Sequence, residues 1–71
     1  MARMNRHAAH DILQRCKVPK GSGYHELSSS QVEALIAEAD AYGYQKPKNA
    51  NGSRGRYFHA FVERVASRES E

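Results

Sequence analysis

Apolar residues recur at helical spacing in three separate stretches of this chain. In the first, Ala9, Ile12, Leu13 and Cys16 stand at i, i+3, i+4 and i+7 and share one face. A helix is expected over about residues 5–17. Lys17 suits the negative C-terminal end, and Pro19 sets the stop near Val18. In the second stretch Val32, Leu35, Ile36 and Ala39 form the stripe, while Glu33, Glu38 and Asp40 face elsewhere. Its start is well marked: Ser28 can cap the amide of Gln31, Gln31 can reach back to Ser28, and Leu27 can staple onto Val32. Gly43 offers the left-handed geometry that ends a helix, so this one is placed at about 29–42. In the third, Phe58, Phe61, Val62 and Val65 repeat the spacing behind a Ser53 cap, over about 54–67.

Between these stretches the pattern breaks at turn-forming residues. Lys20-Gly21-Ser22-Gly23 reads as a flexible connection, and residues 44–52 as an ordered loop shaped by Pro47 and Gly52. Three amphipathic helices of this size close one common core, so the expected fold is all-α: a compact three-helix domain spanning residues 1–71. The ends, 1–4 and 68–71, are expected to be disordered.

Composition narrows what such a domain can do. Seventy-one residues bury only about 60% of the surface that the unfolded chain exposes, which leaves little volume for a substrate cleft. No apolar run exceeds four residues, and the basic start, Met1 to Arg6, leads into no apolar segment. Neither a membrane span nor a secretory signal is expected, which points to the cytoplasm. The single Cys16 has no internal disulfide partner, in keeping with that compartment.

The charge is segregated. Residues 1–27 carry five basic and two acidic groups, residues 28–44 none and three, and residues 45–71 six and three. From Lys46 to His59 the cations Lys46, Lys48, Arg54 and Arg56 stand with no acid among them, at the loop and helix start where free backbone N–H groups add to a positive field. Cations at that end oppose the helix dipole, a local conflict of the kind found at functional sites. Tyr42, Tyr44, Tyr57 and His59 surround the cluster. Tyr57 and Phe58 are adjacent, so with Phe58 inward Tyr57 is the exposed one. The candidate binding residues are therefore Lys46, Lys48, Arg54, Arg56 and Tyr57, set against the bland reading of a solvated loop.

Other chemistry fares worse. His7 and His10 share a helix face, and His25 or His59 could be added, but Cys16 lies almost two turns further on and fits the apolar stripe; no metal and no cofactor is expected. Ser28, Ser29 and Ser30 are accounted for by capping, and no base stands beside a nucleophile, so no catalytic residue is assigned and the chain is not read as an enzyme. Gly52 and Gly55 lack the spacing of a phosphate loop.

The stretch from Tyr44 to Arg64, YQKPKNANGSRGRYFHAFVER, resembles small accessory proteins of tailed bacteriophages that carry a KPxNANGSxxRYF segment. The likeness covers about a third of the chain. It implies a phage protein that seizes a host machine, in the manner of small phage inhibitors of bacterial RNA polymerase. The functional expectation is a non-enzymatic, monomeric regulator that binds host transcription machinery through loop 45–57, with no membrane and no small-molecule substrate. The rival is direct binding of nucleic acid by the basic loop and last helix. However, nine residues before that helix exceed the tight turn of helix-turn-helix motifs. Inhibition of a host defence complex stands third.

Overall fold

A computed structural model describes residues 4–68. It contains three helices, α1 (Arg6–Arg15), α2 (Ser29–Tyr42) and α3 (Arg54–Ala66), with one turn of 3₁₀ helix at Tyr24–Glu26. Among the described residues there is no strand, and the all-α three-helix architecture is the one that the periodicity predicts.

Each helix start is capped by a short polar side chain. Asn5 Oδ1 accepts from the Ala8 amide at 2.8 Å, and Ser53 Oγ accepts from Arg56 N at 3.2 Å. At α2 the full capping box forms: Gln31 N donates to Ser28 Oγ at 3.3 Å and Ser28 N donates to Gln31 Oε1 at 2.7 Å.

Two helix ends share one motif. After α2, Gly43 is left-handed (φ +84°) and Tyr44 N reaches back to Ala39 O at 3.0 Å. After α1, Lys17 takes the same conformation (φ +58°) and Val18 N reaches Leu13 O at 2.9 Å. Both are Schellman closures, which satisfy carbonyls that the helix end leaves free. At α1 a lysine stands where glycine is usual, so α1 stops two residues short of the expected 17. Val18, buried, supplies the apolar contact that accompanies this closure.

The core is built around α3. α1 and α2 both pack mainly on it and only lightly on each other, so α3 is buried over a broad face that includes Gly55, Phe58, His59, Val62, Val65 and Ala66. Phe58, Leu35, Val62 and Val65 are the largest fully enclosed side chains, each worth about 1.5–3 kcal/mol of burial. Gly55 is buried for a steric reason. A Cβ there would lie 3.1 Å from Ile36 Cγ1 and 3.2 Å from Tyr24 Oη, so the bare backbone lets α2 and the 3₁₀ turn close on the start of α3.

Several sequence expectations shift. The α1 stripe is buried in full, Cys16 included, and burial raises the pKa of that thiol above its ordinary value. In α2 only Leu35 and Ala39 are buried, with Val32 and Ile36 half-exposed at its margin. Phe61 is also only partly buried; its ring lies 5.4 Å from that of Tyr44 and 6.0 Å from that of Tyr42. Met4, expected in a disordered end, is instead buried, and its amide donates to Tyr42 Oη at 3.0 Å. Arg68, likewise expected to be disordered, has its amide bonded to Val65 O at 3.2 Å; the rest of the two predicted disordered ends lies outside the described residues.

The connection expected to be flexible is tied down at several backbone positions. Ser22 N closes a turn on Pro19 O at 3.1 Å, and Gly21 N donates to the Glu63 carboxylate at 3.1 and 3.2 Å. Gln31 Nε2 donates to Lys17 O at 2.7 Å. Residues distant in sequence hold this connection, so its own glycines and serines gave no sign of it.

Candidate functional site: the basic loop and the start of α3

Residues 44–53 leave α2 by the Schellman closure and enter α3 at the Ser53 cap. Within them, Ala50 N closes a turn on Pro47 O at 3.1 Å. Two side chains from the candidate set brace the loop, one from within it and one from the start of α3. Lys46 Nζ donates to Gly52 O at 2.9 Å, and Tyr57 Oη donates to Asn51 O at 2.7 Å. Tyr57 is half-buried, so the hydroxyl anchors the loop and only part of its ring faces outward.

Arg54 meets an acid that the linear order of charges conceals. Its guanidinium pairs with the Asp40 carboxylate near the end of α2, one of the acidic groups that the sequence assigns to the solvated side of that helix. The pair offsets the unfavourable cation at the positive end of α3. Lys48 and Arg56 differ: both are exposed, and neither has an ion pair or side-chain hydrogen bond among the described residues. Thus Lys46, Arg54 and Tyr57 shape the surface, and Lys48 and Arg56 are left to present charge from it.

Elsewhere the acidic helix is also engaged. Arg15 grips Glu38 with two hydrogen bonds of 3.0 Å, which hold the Glu38 carboxyl below the ordinary carboxylate range and raise the Arg15 pKa.

Beside Arg56 lies a recess of about 330 Å³ that the sequence did not reveal, lined by Tyr24, His25, Arg56, His59 and Ala60. Tyr24 Oη is 3.3 Å from Ser53 Oγ, and the Tyr24 and His59 ring centres are 6.0 Å apart. The His59 side chain is 7% exposed, and its Nε2, fully enclosed, has no hydrogen-bond partner. Glu63 Oε2 lies 3.5 Å from that nitrogen, but the Glu63 carboxylate already accepts from the Gly21 amide. A signal for the burial was present: Gly55, His59, Val62 and Ala66 form a second stripe at i, i+4, i+7 and i+11, alongside the one that contains Phe58.

Among the described residues, no three His, Cys, Asp or Glu side chains are grouped as metal ligands would be, and His7, His10 and Cys16 are not brought together as a site. No helix among the described residues is long and apolar enough to cross a membrane. Comparison with protein-family models, with curated proteins and with solved structures finds no match for this chain.

Proposed function

We propose that the protein is a non-enzymatic binding module that sets Lys48 and Arg56 against an acidic surface of a partner protein. The likeness of the 44–64 segment to phage accessory proteins makes host transcription machinery, RNA polymerase first, the partner to test. The observation that carries this reading is the division of labour in the basic segment: Lys46, Arg54 and Tyr57 stiffen it, and two exposed cations without acidic partners remain on the stiffened frame. Presenting charge from an ordered loop lowers the ordering cost of association and speeds encounter with an acidic partner.

The test is capture from a nuclease-treated bacterial lysate, comparing the natural chain with Lys48→Glu and Arg56→Glu. Polymerase subunits should be retained by the first and lost from both variants, while circular dichroism of the variants keeps its helical signal. A capture that is unchanged by both substitutions would refute the reading. The second reading, contact with nucleic-acid phosphates, draws on the same two free cations. It predicts duplex binding that falls linearly in log affinity against log salt, whereas a protein interface with an apolar centre responds less. Recovery of a defence complex in place of polymerase would select the third reading.

A further inference from the structure

We infer that the recess between the 3₁₀ turn and α3 is a binding site for a single phosphate-type oxyanion, and that its occupancy is coupled to protonation of His59. The site goes beyond the docking reading, since it needs no macromolecular partner.

Three features of the recess point to an oxyanion. Arg56 brings a planar, permanently charged fork that matches phosphate or carboxylate oxygens, and it has no anionic partner among the described residues. Tyr24 adds an aromatic wall whose hydroxyl is shared with Ser53, and His25 an exposed imidazole that lies 3.9 Å from Glu26. At about 330 Å³ the recess is at the small end of ligand sites, sufficient for a phosphate monoester group but not for an extended molecule.

The fourth feature is the condition of His59. A buried polar atom without a partner is costly, and proteins seldom retain one without a use for it. Nε2 is sealed inside beside Glu63, so it is the rest of the ring that lines the recess. An anion there favours the imidazolium. The ring then takes up one proton from solvent, and its Nε2–H faces the Glu63 carboxylate at 3.5 Å. Glu63 on α3 and the bound anion favour that charge, whereas Arg56 on α3 and His25 on the 3₁₀ turn oppose it. Binding of the anion therefore turns the 3.5 Å approach of Nε2 to Glu63 into a charged pair.

The test is a titration of the full chain with inorganic phosphate at constant ionic strength, followed by NMR. Saturable shifts are expected at Tyr24, Arg56 and His59, with the His59 ring titrating at higher pH when phosphate is saturating. Arg56→Gln, at an exposed position, should fold normally and weaken phosphate binding about tenfold or more, as for loss of a charge-assisted contact. His59→Gln should remove the proton linkage. Shifts spread without saturation over all the lysines and arginines would overturn the proposal, as would phosphate affinity unaltered in Arg56→Gln or a His59 titration indifferent to phosphate. Lys48→Glu separates the two ideas, because it should impair capture of a protein partner and leave phosphate binding at His59 in place.

Discussion

The two connections between helices are built from similar parts and held in different ways. Each begins at a left-handed residue, Lys17 or Gly43, and each turns on the carbonyl of a proline that is followed by a lysine, Pro19-Lys20 or Pro47-Lys48. Each also ends at a serine cap, Ser28 or Ser53. The first is sewn to the body of the bundle by Gln31 and Glu63, which reach Lys17 O and Gly21 N. The second is sewn once to itself, by Lys46 on Gly52 O, and once to the first turn of the helix it enters, by Tyr57 on Asn51 O. A connection fastened by side chains from helices distant in sequence becomes part of the scaffold. One that is braced by its own lysine and by the helix turn directly after it can hold a shape while its residues stay exposed, which is what a contact surface requires.

The comparison is broken most severely through α3, on which both connections depend. Phe58 is fully enclosed, so Phe58→Ala should cost about 3–5 kcal/mol, close to the whole stability of a domain this small. Half-exposed Phe61 should lose roughly half as much on the same change. Equal losses in denaturant melts of the two variants would mean that the core is centred elsewhere.

A smaller and more selective effect is expected of Tyr57→Phe, which removes only the bond to Asn51 O, worth about 0.5–1.5 kcal/mol. Amide hydrogen exchange should quicken in residues 45–53 and stay as it was in 17–28. Equal acceleration in both would show that the two connections open together.

Lys17→Gly runs in the opposite direction. Glycine relieves the left-handed strain but adds freedom to the unfolded chain, so a gain of up to about 1 kcal/mol is expected from thermal melting. The smallest effect belongs to Arg15→Gln, beside the first connection. Because Arg15 holds the Glu38 carboxyl low, the stability that their pairing contributes is present above the ordinary carboxyl pKa of about 4.3 and disappears as pH falls through the lower folded value. Arg15 is 57% exposed, so solvent screens most of that contribution. The variant should differ slightly from the natural chain in melting temperature at pH 7 and converge with it in acid.

The helices were legible because caps and periodicity are local: Ser28 with Gln31, Ser53 and Gly43 act within a few residues of the ends they define. The left-handed Lys17 was not, since nothing about a lysine signals that conformation. The candidate basic segment was found as a run of charge, but its division into framework and free cations depends on Asp40, fourteen residues before Arg54. The His59 recess was hidden for the same reason. Tyr24 and His25 come to it from a segment read as turn and linker, drawn in where Gly55 has no side chain.

Burial of Cys16 gives the protein a natural reporter. Thiol reagents attack the thiolate, and this sulfur is both shielded by the core and reluctant to ionise. Its alkylation must wait for the packing around Cys16 to open, so the rate at which a colourless reagent is consumed counts those opening events, without any label introduced into the chain.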